Sequence, residues 1–241
     1  MKWLIVGLSM LMSTSSMAID KWRGLLELQP GVYLTLGFNV DVQQNTVTLD
    51  SPNQGMFGKV PTEFTISKQQ VSFKDKQLQA EFNGKVEGDT LVGTFTQGRA
   101  MAITLQRLNE QDLSQLKYEG AYKGELDVNG KPLPLVVQVA VVNGGFYSSI
   151  DSPAQQSYGI PVTEFAIDEK MMTFSSKMIS ASFSGQLGDA GYSGKFVQGL
   201  SKLRRSKNRI RIPHLLYVRI GNIGGHRKIL RSTCIGIVGE I

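Results

Sequence analysis

The chain has 241 residues, 26 Lys and Arg against 20 Asp and Glu, and a single cysteine, Cys234. One cysteine excludes an intramolecular disulfide, so the fold must rest on its apolar core. The net charge of +6 is uneven: residues 200–241 hold ten basic side chains and one acid, Glu240, which leaves residues 1–199 slightly acidic and without an electrostatic footprint for nucleic acid.

The chain opens with Lys2, an apolar run from Trp3 to Met12, and the small polar stretch "STSSMA", with Ser16 and Ala18 at the −3 and −1 positions of a cleavage site. This is the layout of a secretory signal peptide over 1–18. The run is shorter than the ~20 residues of a spanning helix. A transmembrane span is not expected; an exported protein, periplasmic or extracellular, is.

From Gly24 onward the pattern is that of strands. Val32, Leu34, Leu36, Phe38, Val40 and Val42 alternate with Tyr33, Thr35, Gly37, Asn39 and Asp41, the period of a sheet with one buried face. Short apolar segments follow at Thr46–Leu49, Glu63–Ile66, Val71–Phe73, Leu78–Gly84, Leu91–Thr96 and Met101–Leu108, with "EGDT" at Glu87 as a hairpin signal. With a strand near Gly24–Leu28 these make about eight antiparallel strands, enough for a small barrel of the lipocalin-like kind or a sandwich. Closure into a barrel is the expectation, because it removes exposed edges. "NEQDLSQLK" (109–117) reads as a linker, with one helical turn possible at Gln111–Leu116.

The pattern then repeats. Displaced by 101 residues, Asp50–Gly98 lies on Asp151–Gly199 without a gap, and 18 of 49 positions are identical. "DSPNQGMFG" at Asp50 answers "DSPAQQSYG" at Asp151; Thr62-Glu63-Phe64 answers Thr163-Glu164-Phe165; Gln97-Gly98 answers Gln198-Gly199; upstream, "WRG" at Trp22 answers "YKG" at Tyr122. A period this long means a duplicated domain and not a solenoid turn. The expected organisation is 1–18 signal peptide, 19–108 first β-repeat, 109–117 linker, 118–200 second β-repeat and 201–241 an atypical basic tail.

The repeated motif residues are Asp50, Ser51, Pro52, Gln54, Gln97 and Gly98 in the first copy and Asp151, Ser152, Pro153, Gln155, Gln198 and Gly199 in the second. If Phe95 points inward, so does Gln97, and a buried amide needs partners. Its nearest candidates are the backbone groups of the DSPxQ turn, so the two motifs are expected to form a polar plug at one end of each barrel. Asp50 is expected to accept from an N–H two residues on. The other reading is a ligand site lined by the same residues. Gly84, Gly93, Gly185 and Gly194 are expected to permit close backbone approach. Trp22 and Tyr122 are expected to fill the core end, with a stacking platform as the alternative.

Tandem units of this form, W-x-G, alternating strand, D-S-P-x-Q, F-x-G and G-x-F-x-Q-G, resemble the N-terminal region of exported bacterial α/β-hydrolases of the serine esterase and serine-aminopeptidase-like kind. The resemblance covers about residues 20–199. It implies a non-catalytic accessory region that packs on, or guides substrate to, a catalytic domain. The first copy departs at "GKVP", where Pro61 comes one place later than Pro161 in "GIPV".

Catalytic, metal and cofactor residues are not expected in this chain. No G-x-S-x-G elbow is present; "GYSGK" at Gly191 is one residue short, and His214 and His226 both fall in the tail. Glu63 and Glu164 recur at matched positions in separate units and do not by themselves make an acid–base pair. The runner-up role is a free-standing binding module for a small apolar ligand. Many Val, Leu and Phe on the inner faces favour filled interiors instead. After Gly199 the apolar alternation gives way to Arg and Lys. The tail is therefore read as the product of a reading-frame change in a longer hydrolase gene, expected to pack poorly and to leave the second unit without its own last strand. Ile210, Ile212 and Leu215–Val218 are candidates for a makeshift replacement. A genuine basic tail for anionic surfaces is the alternative.

Overall fold

The computed structural model describes residues 19–128, 130–189, 191–199 and 214–224. The expected signal peptide and most of the basic tail lie outside these residues. The fold is nearly all β, in two sheets of nine antiparallel strands.

The first sheet comprises β1 (Asp20–Gln29), β2 (Val32–Asp41), β3 (Thr46–Ser51), β4 (Met56–Lys59), β5 (Glu63–Ile66), β6 (Gln70–Asp75), β7 (Ala80–Glu87), β8 (Thr90–Gln97) and β9 (Arg99–Arg107). The second comprises β10 (Gly120–Val128), β11 (Lys131–Val142), β12 (Gly145–Ser152), β13 (Ser157–Pro161), β14 (Glu164–Ile167), β15 (Met171–Ser176), β16 (Ala181–Gly188), β17 (Gly191–Gln198) and β18 (His214–Gly224). Both run in the same spatial order, β4-β3-β2-β1-β9-β8-β7-β6-β5 and β13-β12-β11-β10-β18-β17-β16-β15-β14.

Each sheet therefore curls and joins its first strand to its last, Trp22 opposite Arg107 and Tyr122 opposite Asn222. It does not close. The ladder stops between β4 and β5, and again between β13 and β14, although these strands are adjacent in the chain. In the second unit the Val162 amide bonds Ser148 on one side of this seam, and the next amide, Thr163, bonds Ser175 on the other. The chain crosses the seam within one residue. The edges that remain are four or five residues long, short enough to be poor templates for another strand. In the first unit Lys59 spans the seam to Asp75 at 3.0 Å.

The makeshift replacement expected for the second unit's last strand is present and takes in Leu215–Val218, whereas Ile210 and Ile212 lie outside the described residues. β18, from the basic tail, pairs with β17 and β10 and occupies the place of β9. The second unit thus runs past residue 200. In the first unit Gly98 alone turns β8 into β9, whereas Gln198 meets His214 across residues 199–213. β4 was not expected. It has only four residues, and Gly58 within it takes φ +66°, so the segment reads as turn.

Each unit has its own core. The first is built from Trp22, Leu26, Leu36, Phe38, Phe73, Phe82, Phe95 and their neighbours; the second from Tyr122, Val137, Val139, Phe174, Phe183, Phe196 and theirs. Phe38 stands edge-on to Phe73 at 5.2 Å and tilted against Phe82 at 4.7 Å. Phe82 lies over the directly paired Gly84 and Gly93, where a Cβ would come within 2.5 and 2.7 Å of its ring. Phe183 lies over Gly185 in the same way, with Gly194 paired opposite. Close approach is the use of these glycines.

The linker is ordered. Asn109 caps the helix α1 (Glu110–Gln115) in a capping box with Asp112, and the other oxygen of Asp112 accepts from the Gly144 amide at 3.0 Å. Asn143 donates back to the Arg107 carbonyl. The helix is thus bonded to the β11–β12 hairpin of the second unit. No helix among the described residues is long and apolar enough to cross a membrane.

Candidate functional site

The DSPxQ segments leave β3 and β12 as one 3₁₀ turn each, Pro52–Gln54 and Pro153–Gln155. Proline at the first position of the turn fits its fixed φ and missing N–H. The following residue, Gly55 or Gln156, takes a left-handed conformation. Ser51 donates to Gln54 at 3.0 Å, and Ser152 to Gln155 at 2.9 Å. Asp50 accepts from the Gly58 amide at 2.7 Å, and Asp151 from the Gly159 amide at 2.8 Å. The aspartate therefore braces a loop eight residues long; the expected bond two residues on is not made.

The polar plug is not formed. Gln97 is exposed, and its Nε2 donates to the Leu78 carbonyl at 2.8 Å; Gln198 donates to Ile179 at 3.4 Å. Both fasten the loop between the third and fourth strands from the unit's end. Neither meets a DSPxQ turn. Gln97 does not follow Phe95 inward, because Phe95 is the last buried position of β8 and the strand passes beyond the core before Gln97. Gly98 takes φ +72° at the hairpin, and Gly199 follows Gln198 with its amide on the Ser180 carbonyl. Trp22 and Tyr122 are buried in the cores, Trp22 under the Arg107 guanidinium at 4.4 Å.

The first DSPxQ turn sits instead between the two units, against β10 and β11. Along β1, Trp22 and Leu26 face the core, so Arg23 projects from the outer face. There it is fully buried. Its Nη2 lies 2.8 Å from Asp50 Oδ2 and 3.4 Å from Glu119 Oε2, and none of the three side chains has any exposure. Asn39 adds a donor to Asp50 at 2.9 Å, and the half-buried Lys21 donates to Asn39 at 3.2 Å. Glu119 enters from the far end of the linker and takes the Val141 amide at 3.2 Å. Arg23 reaches this position across Gly37; a Cβ there would stand 2.1 Å from its Nη1.

Burial holds the Glu119 carboxyl above its ordinary range, even though Arg23 and the Val141 N–H pull it down. Burial also lowers Lys21, helped by the nearby Arg23 charge. One buried cation thus serves two buried carboxylates. Removing it would strand them at a cost of about 3–5 kcal/mol.

The second unit lacks this arrangement. Lys123 replaces Arg23 and is exposed, Val136 replaces Gly37, and Asp151 is bonded by Gln138 at 3.1 Å. Arg23 and Glu119 were not singled out from sequence. The available signal was a charge inside an alternating strand, paired opposite a glycine that interrupts the pattern.

A shallow groove of about 380 Å³ crosses the outer face of β5–β8, lined by Glu63, Lys74, Glu81, Asn83, Thr94 and Thr96 among others. Lys74 pairs with Glu81, and Lys76 with Glu63. Glu164, the counterpart of Glu63, accepts from Ser175. The two glutamates lie on separate sheets. Ser193 of "GYSGK" stands mid-strand opposite Gln186, which is not the geometry of a nucleophile elbow. Among the described residues no three His, Cys, Asp or Glu side chains are grouped to hold a metal ion. No family model, curated protein or solved structure matches the chain.

Proposed function

We propose that this chain is an exported, non-catalytic accessory region of a serine α/β-hydrolase, which packs on a catalytic domain or guides substrate to it. The tandem motifs from Trp22 to Gly199 support the reading through their resemblance to that region. The observation that carries it is the filled interior. Phe38, Phe73 and Phe82 pack ring against ring inside the first unit, as Phe174, Phe183 and Phe196 do in the second. A pair of solid units fastened by buried charges suits a rigid scaffold better than a container.

Two measurements on the full chain test this. Incubation with a fatty-acid mixture followed by native mass spectrometry is expected to return the bare protein; a retained ligand would favour the small-apolar-ligand module. A fluorophosphonate probe is expected to leave the chain unlabelled, and labelling would assign it an activity of its own. The tail is proposed to arise from a frame change. Translation of the gene beyond codon 200 in the other two frames is expected to give an apolar strand and then a G-x-S-x-G segment. Early stop codons in both frames would overturn that origin.

A further inference from the structure

We propose that Arg23, Asp50 and Glu119 form a proton-operated clasp between the two units, which tightens on acidification as Glu119 takes up a proton and loosens as pH rises. The geometry separates the two carboxylates. Asp50 is saturated from its own unit by the Gly58 amide at 2.7 Å, Arg23 at 2.8 Å and Asn39 at 2.9 Å. All three partners belong to the first unit. Glu119 is different: its ion pair to Arg23 is the longer one, at 3.4 Å, and crosses from one unit to the other. Its other partner is a neutral amide, Val141 N–H, on β11.

The charged groups facing Glu119 are Arg23 and Lys21 on β1 and Asp50 on β3. Arg23 is already engaged by Asp50, and Lys21 is held back on Asn39. Burial of Glu119 is therefore incompletely compensated, and its carboxyl is held above the ordinary range. A group whose value is raised in the docked state contributes stability that is fully present at low pH. That stability is lost as pH rises through the raised value. Docking is thus favoured by acid, opposite to the usual behaviour of a salt-bridged carboxylate. The clasp is a property of the pair of units and holds for an accessory region and for a ligand-binding module alike.

Amide hydrogen exchange on the full chain between pH 5 and 8, corrected for intrinsic rates, tests it. Protection of the Val141 and Gly144 amides at the unit boundary is expected to fall as pH rises, while core amides of Phe82 and Phe95 stay level with each other and unchanged. Glu119→Gln keeps the shape and the acceptor for Val141. It is expected to abolish the pH dependence and to hold the boundary at the wild-type level reached in acid. Arg23→Met is expected to deepen the loss of protection between the same two pH values, because the cation paired with Glu119 is gone. A flat wild-type profile, or an unaltered slope in Glu119→Gln, would overturn the clasp.

Discussion

The two units share sheet order, turn geometry and an aspartate in the same place, yet they treat that aspartate differently. In the first, Asp50 is sealed with an arginine that crosses a glycine. In the second, Asp151 is half-buried and satisfied by an amide, Gln138, with Val136 closing the path that an arginine would need. The brace from Asp to the Gly58 or Gly159 amide is common to both and belongs to the turn. The ion cluster is specific to the first unit and belongs to the boundary. A duplicated motif can thus keep its local task in both copies while one copy gains a task between them.

Substitutions that exchange these features between units test the distinction. The largest effect is expected for Arg23→Met, which should lower stability by about 3–5 kcal/mol in urea unfolding by leaving two buried carboxylates without their cation. Lys123→Met, on an exposed side chain, should stay within about 0.5 kcal/mol. Equal losses would dissolve the contrast between the units.

Gly37→Val imports the second unit's residue and should displace Arg23, with a loss of about 3 kcal/mol. The pair Arg23→Lys with Gly37→Val recreates the second unit's combination. Its loss should be smaller than the sum of the two single losses, because the clash between positions 23 and 37 is counted only once. Strict additivity would mean that the glycine does not make room for the arginine.

Asp50→Asn should cost about 2–3 kcal/mol through its charge-assisted bonds, against about 1 kcal/mol for Asp151→Asn. The smallest effects are expected at Gln97→Ala and Gln198→Ala, each about 0.5–1 kcal/mol, since these exposed amides tie down loops. A loss at Gln97 matching that at Asp50 would restore the buried-plug reading.

Much of the fold was legible because strand alternation is a local signal. β2 announces itself through Leu34, Leu36, Phe38 and Val40, and the duplication supplies a second reading of nearly every element. β4 was missed because four residues around a left-handed glycine carry no period. Closure was overestimated, since the seam depends on where β4 and β5 end in space. The site was least legible. Arg23 and Glu119 are 96 residues apart, and nothing in either segment names the other. Gln97 was misplaced because alternation fixes a face of a strand but not how far along it the core extends.

The seam also bears on how each unit assembles. Every hydrogen-bonded strand pair in the first sheet joins chain neighbours except one, β1 with β9. The sheet is therefore two local meanders, β1–β4 and β5–β9, zipped together by the ladder that sets residue 22 against residue 107. Local meanders have low contact order and form early, while that last ladder bears the loop-closure entropy. The slow step in folding should be this single zipping event. For residues 19–108 taken alone, a circular permutant that joins residue 108 to residue 19 and opens at Val60-Pro61 would turn the one distant pairing into a neighbouring one, cut no ladder, and fold faster than the same residues in their natural order.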